Sequence, residues 1–258
     1  MKKLGLQVYT IRDVFANEGN EVAFKKIAEA GYTQAQTAGA YDSIDDARAY
    51  AAAAKAAGVE IVGTHYDWDK IRDNVEETVE IHKILGTTNV GIGGMPKEAR
   101  EDHDALMQFI ADFNAAADEY KKYGMKLTYH NHSFEFRKIK DNKTLMDCLI
   151  EGFNDNISFV LDTYWVQHGG ADIRRMIERL SGRVDILHLK DMAAYHPETK
   201  APYYTQVGDG NIDMKDIVAH AENHGVKYFV VEQDGNFEID SVSSIKKSFD
   251  FLKANVME

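Results

Sequence analysis

Seven times along the 258-residue chain, a stretch with helical spacing ends at a glycine and a short apolar segment follows closely. The glycines are Gly31, Gly58, Gly86, Gly124, Gly152, Gly182 and Gly225, each able to take the left-handed conformation that closes a helix. With the first apolar segment this makes eight expected strands: LGLQVYT, YTQAQTA, EIVGTH, TNVGIGG, KLTYHNH, ISFVLDT, VDILHLK and YFVVEQ. A final helix near Ser241 to Ala254 completes the alternation. Ser43 and Asp46 form an approximate capping box before ARAYAAAAKAAG, whose alanines favour a helix and let it approach a sheet closely. Asp172 and Asp213 are expected N-caps of two further helices.

Eight strand-helix units in a chain of this length match a (β/α)8 TIM barrel, in which buried parallel strands read as apolar runs. The expected organisation is one domain over residues 1–258, with 44% hydrophobic residues to fill its core. An open doubly wound sheet is the rival. It leaves two edges exposed, and neither a GxGxxG after the first strand nor a GxxxxGK[ST] loop supports its usual nucleotide ligands.

Charge and cysteine content narrow the partners. With 42 acidic against 30 basic residues, the formal net charge is -12, and no basic run offsets it, so nucleic acid is not an expected partner. The lone Cys148 lies among Leu145, Met146 and Leu149 and reads as a buried helical residue rather than a nucleophile. The apolar run after Met-Lys-Lys is too short for a secretory signal, and no other segment reaches membrane-span length. A cytoplasmic protein without membrane contact is the expectation, and a homo-oligomer is compatible with it.

In such a barrel the polar residues at carboxyl-terminal strand ends face one cavity. These ends carry His130, His132 and Glu135 after the fifth strand, Asp162 after the sixth, His188, Lys190 and Asp191 after the seventh, and Glu232 near Asp234 after the eighth. Glu135, Asp162, His188 and Glu232 make an oxygen-rich, one-imidazole set for a divalent metal ion such as Mn, Mg, Co or Zn. Position alone leaves open whether Glu135, His130 or His132 supplies the fifth-strand ligand. His130 and His132 can instead bind substrate oxygens or orient the carboxylates. His65, at the end of the third strand, is a further substrate-binding candidate or a loop cap. Lys190 is expected to contact a substrate oxygen. Tyr9, Trp68, Tyr164 and Trp165 offer either aromatic faces for a sugar or packing surface. Gly208 and Gly210 form either a tight loop beneath a ligand or a plain loop before the cap Asp213.

At YHNHSFEF (129–136), LDTYW (161–165), HLKD (188–191), VGDGNID (207–213) and VEQD (231–234), the chain resembles the sugar phosphate isomerase/epimerase superfamily, the xylose isomerase-like TIM barrels. The resemblance runs from the first expected strand to the last helix. It implies a cavity metal held by strand-end Glu, Asp, His and Glu, which transfers directly to Asp162, His188 and Glu232. In the ketose 3-epimerase branch the first glutamate lies on the fifth strand itself. This sequence places His130 there and offers Glu135 later, a departure from the two-glutamate arrangement.

The superfamily includes sugar isomerases and epimerases, inosose and dehydroshikimate dehydratases, and metal-dependent apurinic endonucleases. The leading expectation is an isomerase or epimerase of a keto sugar or related small-molecule carbohydrate. It works by proton abstraction next to a carbonyl, with an enediolate stabilised by the metal. Glu135, Glu232 and His130 are the catalytic candidates; His65, His132, Trp165 and Lys190 are the substrate-binding ones. A carbohydrate lyase or dehydratase is the second reading, and a noncatalytic sugar-binding protein is the alternative of another class. An endonuclease fits poorly with the acidic balance and the sparse ligand series.

Overall fold

The computed structural model describes residues 3–39, 41 and 43–257. Each of the eight apolar segments contains a strand: β1 (Gly5–Gln7), β2 (Gln34–Ala38), β3 (Glu60–His65), β4 (Asn89–Ile92), β5 (Lys126–His130), β6 (Ser158–Asp162), β7 (Val184–Leu189) and β8 (Tyr228–Val231). They pair in parallel in the order β3-β2-β1-β8-β7-β6-β5-β4. The principal covering helices are α1 (Asn20–Ala30), α2 (Ile44–Ala56), α3 (Val75–Leu85), α4 (His103–Lys121), α5 (Leu145–Gly152), α6 (Ile173–Arg179), α7 (Met214–Asn223) and α8 (Ser241–Asn255). The fold is a TIM barrel. No helix among the described residues is long and apolar enough to cross a membrane.

Local signals account for most boundaries. Ser43, Asp172 and Asp213 accept backbone N–H bonds at the starts of α2, α6 and α7, and Thr144 forms a capping box with Asp147 at the start of α5. Six of the seven helix-end glycines have positive φ. Gly152 is the exception: it is the last residue of α5, and the chain leaves through extended Phe153. Its missing side chain serves packing instead, because a Cβ there would lie 2.9 Å from Ile110 Cγ2 on α4.

β3 and β4 close the barrel without a regular ladder. Tyr66 N–H donates to Gly91 O (2.7 Å), Asn89 Nδ2 to Val62 O (2.8 Å) and Gly91 N–H to Thr64 Oγ1 (3.2 Å). Gly91 permits this approach, since a Cβ at that position would lie 2.2 Å from the backbone oxygen of Thr64.

Two apolar layers result. The larger lies between sheet and helices, while Val62, Val160, Ile186 and Val230 form a separate small cluster contributed by β3, β6, β7 and β8. Strand side chains alternate between faces, so the residue two positions beyond an interior residue shares its face. Two positions beyond Val160, Ile186 and Val230 come Asp162, His188 and Glu232. The apolar layer is therefore the floor of a polar chamber.

Gly91→Ala is expected to destabilise the protein by about 2–3 kcal/mol, lowering Tm by roughly 4–12 °C, because the clash is with backbone on one side. Paired thermal and urea unfolding curves measure this; an unchanged Tm contradicts the close-seam account.

Candidate functional site

One nitrogen or carboxylate oxygen from each of His130, Asp162, His188 and Glu232 lies within 4.8 Å of the others, and all four residues are buried. His130 ends β5 and His188 lies on β7; Asp162 ends β6 and Glu232 directly follows β8. His130 Nε2 is 3.4 Å from Asp162 Oδ2, and its Nδ1 is 3.2 Å from the carbonyl oxygen of Gly93. A carbonyl only accepts, so Nδ1 carries the hydrogen and Nε2 offers its lone pair to the cluster. His188 presents Nδ1 to Glu232 Oε2 at 2.9 Å and to Asp162 Oδ2 at 3.6 Å.

Glu135, expected as the fourth oxygen ligand, lies outside this group. Its short 3-10 turn, Phe134–Phe136, puts Oε1 2.6 Å from the Tyr129 hydroxyl and Oε2 2.8 Å from the His132 N–H, both of which donate to it. Tyr129 packs with Phe109, Phe113 and Phe153 on the helix side, whereas His130, the next residue along the strand, points the opposite way. Glu135 is thus tied to the outer face. Burial pushes its carboxyl up to about 7, against the lowering effect of both hydrogen bonds.

Lys190 supplies the fixed positive charge. Its buried Nζ lies 2.6 Å from Asp234 Oδ2, 3.2 Å from Glu232 Oε2 and 3.4 Å from Asp162 Oδ2. Burial opposes that charge, but the three carboxylates outweigh it and raise the ammonium above its ordinary value. Burial likewise works against ionising Asp162 and Glu232; Lys190 and the neighbouring imidazoles overcome it and hold both below the ordinary carboxylate range. Asp234 moves the other way, to about 6, through burial and the adjacent charge of Glu232.

A cavity of about 390 Å³ opens above the cluster, within the range of small-molecule sites. Tyr9, Ala38, His65, Gly93, His130, His132, Lys190, Tyr204, Glu232 and Asp234 line it. His65 Nε2 and His132 Nδ1 are buried without hydrogen-bond partners. Burial and neighbouring imidazoles keep His65 neutral, and burial carries His132 down to about 3. Trp165 packs against His132 and carries Lys190 Nζ 5.1 Å over its ring; its indole N–H is also unpaired. Trp68 instead packs with Phe109 and Phe113, and Tyr164 is buried against Tyr204.

The glycine loop turns out to wrap a carboxylate. Asp191 accepts from the backbone N–H groups of Met192, Gly208, Gly210 and Ile212 at 2.8–3.2 Å. Gln7 and Gln36, both fully buried, stand beside His188 and His65 without having been singled out by strand-end position. Their visible trace is polar residues within the apolar runs LGLQVYT and YTQAQTA.

Two ring nitrogens and two carboxylates facing one another can enclose a cation. The donor set fits a divalent metal ion, and the cluster can hold one.

A family model described as xylose isomerase-like TIM barrel matches residues 24–255. An inosose dehydratase from Mesomycoplasma hyopneumoniae strain 7448 is 22% identical over 192 residues, covering 68% of this chain and 62% of that protein. The match thus spans less than two thirds of the curated relative's length. Among solved structures, a sugar phosphate isomerase/epimerase from Parabacteroides distasonis ATCC 8503 superimposes with a TM-score of 0.81 at 20% identity, over 98% of both chains. An L-ribulose 3-epimerase gives 0.74 at 17% identity, over 100% of this chain and 95% of that one. A probable 3-DHS dehydratase from Bacillus anthracis gives 0.73 at 13% identity, over 98% and 99%. At these identities the structural likeness is one of fold.

In chelator-treated protein, burial disfavours a charged His188, but Glu232 and Asp162 more than offset it and raise the ring from 6.5 to about 9. A raised folded-state value means that the stabilisation is complete below about pH 6.5 and is lost as pH rises through about 9. Urea midpoints measured with chelator should fall across that window in the wild type, and His188→Gln should remove this component of the slope. A wild-type midpoint that rises there contradicts the assigned charge pattern.

Proposed function

The chain belongs to the xylose isomerase-like TIM barrel family, and on that premise we propose that it is a divalent-metal-dependent isomerase or epimerase of a keto sugar or related carbohydrate. The observation that carries the reading is the convergence of His130, Asp162, His188 and Glu232 at the base of a small polar cavity. His130 takes the place expected of Glu135 in holding the ion. Two imidazoles with two carboxylates favour Mn, Co or Zn over Mg. When bound, the ion polarises a substrate carbonyl and stabilises the negative charge that develops on its oxygen.

The remaining roles fall to the chain's own residues. Three carboxylates, Asp162, Glu232 and Asp234, face one ammonium, Lys190, and a divalent ion brings the site to neutrality. Lys190 is the only lysine or arginine among the described cavity-lining residues. A neutral sugar suits this balance better than a phosphorylated one. Lys190 is placed to hydrogen-bond a substrate oxygen, and the unpaired nitrogens of His65 and His132 to bind hydroxyls, with Trp165 holding the ring of His132 in place. Asp234 lines the cavity with an ordinary acid's value raised to about 6, so it is better matched to take a carbon-bound proton near neutrality than Glu232, which Lys190 helps to hold ionised. Glu135 acts indirectly, by fixing the His132 backbone.

A dehydratase is the second reading, supported by the inosose dehydratase similarity and by Asp234, which, once it has taken the carbon-bound proton, can give it to a departing hydroxyl. Both reactions begin by removing a proton beside a carbonyl. Proton NMR of metal-supplemented protein with keto sugars and cyclic polyol ketones in deuterated water separates them. Deuterium uptake with the carbon skeleton and hydroxyls retained is expected; loss of water identifies the dehydratase, and saturable binding without exchange identifies a binding protein.

Two variants divide the roles. Glu232→Gln should weaken Mn binding by at least roughly 10-fold and abolish exchange, whereas Asp234→Asn should retain Mn and lose roughly 10²–10⁴-fold in exchange rate. Calorimetry and exchange NMR on the same samples check both. Full exchange in Asp234→Asn removes it as the base.

A further inference from the structure

A continuous line of hydrogen bonds joins the backbone amide of Tyr9 to the ring of His188. Tyr9 N–H donates to Gln7 Oε1 at 3.3 Å, which turns Gln7 Nε2 inward. That nitrogen donates to Gln36 Oε1 at 3.0 Å and lies 3.4 Å from His65 Nδ1. Gln36 Oε1 is in turn 2.5 Å from His188 Nε2. Gln7, Gln36 and His188 are all fully buried, so no solvent competes for these bonds.

Each link leaves the next one choice. A backbone N–H only donates, so the Gln7 oxygen must face it; the Gln7 amide then requires the Gln36 oxygen, not its NH₂, opposite. An amide oxygen only accepts, which places the hydrogen of His188 on Nε2. In the neutral, metal-binding form of the ring the lone pair is then on Nδ1, the atom that lies 2.9 Å from Glu232 Oε2 and 3.6 Å from Asp162 Oδ2. The second hydrogen of Gln7 Nε2 points at His65 Nδ1, so His65 directs its Nε2–H toward the cavity.

We propose that Gln36, braced by Gln7, is a positioning residue that sets the tautomer and orientation of His188, so that Nδ1 meets the metal ion in a single pose. The proposal rests on the metal-binding reading above. Partners of this kind are generally worth a factor of 10–100 in metal affinity, because without them the ring must be ordered and its hydrogen relocated on binding.

The test uses the full chain, with Mn²⁺ binding followed by calorimetry and the Zn²⁺-loaded, ¹⁵N-histidine-labelled protein followed by NMR. In the wild type, His188 should show a protected Nε2–H and a metal-shifted Nδ1. Gln36→Leu removes the acceptor and should weaken Mn²⁺ binding by roughly 10–100-fold with loss of the protected N–H signal. Gln36→Met serves the same purpose should the leucine variant fail to fold. Gln36→Glu keeps an acceptor and should retain both the signal and the affinity. A wild-type spectrum with the hydrogen on Nδ1 overturns the proposal without any variant. Unchanged affinity in a folded Gln36→Leu or Gln36→Met protein, or equal weakening in Gln36→Glu, overturns it while leaving the metal reading intact. Wild-type protein that takes up neither ion overturns both.

Discussion

The arrangement of the rim depends on two carboxylates, Asp162 and Glu232, that the fold removes from water. An ionised carboxylate in such a place costs several kcal/mol unless charge and hydrogen bonds compensate it. Lys190 reaches both, His188 faces both, and Asp162 also accepts the N–H of Trp165. Glu232 and Asp234 in turn hold Lys190, whose burial is tolerable only because of them. The group is therefore interdependent, and with His188 neutral its charges lack the equivalent of a divalent cation.

The barrel makes such a concentration of charge feasible. Val62, Val160, Ile186 and Val230 seal the interior below, while the two-residue repeat of the strands carries Asp162, His188 and Glu232 onto the same face beyond that seal. Register fixes their relative positions: Asp162 and His188 are direct partners across β6 and β7, and His188 pairs with Val230 across β7 and β8, so Glu232 stands two residues further along. Thr163 Oγ1 reinforces this pairing by donating to the carbonyls of His188 and Lys190 and accepting the Lys190 N–H. The clustered side chains consequently sit on sheet positions and their first following residues rather than on long loops.

Legibility in the sequence was uneven, for physical reasons. The eight strands could be read because burial on both faces leaves an apolar run and because most helix ends carry a glycine with positive φ. Gly152 shows where that reasoning ends, since a glycine placed for close packing looks the same in a sequence as one placed for a turn. Asp162, His188 and Glu232 could be read as strand-end groups. Between His130 and Glu135 the sequence could not choose, because the decision lies in which sheet face each one joins. Gln7 and Gln36 were hidden for another reason: the links between them and on to His188 span 29 and 152 residues, and no local pattern distinguishes a buried amide link from a polar strand residue.

By itself, the sequence determined the succession of strands and helices, the level at which polar residues leave the apolar runs, and the excess of carboxylate over ammonium at the rim. These follow from local conformational preference and from alternation along a strand. Only the tertiary structure decided that His130 enters the cluster while Glu135 braces the His132 backbone, that β3 and β4 close at Gly91, and that a line of amides reaches His188. Those outcomes depend on which distant atoms become neighbours when the barrel closes, and hydrogen-bond direction is then set one partner at a time.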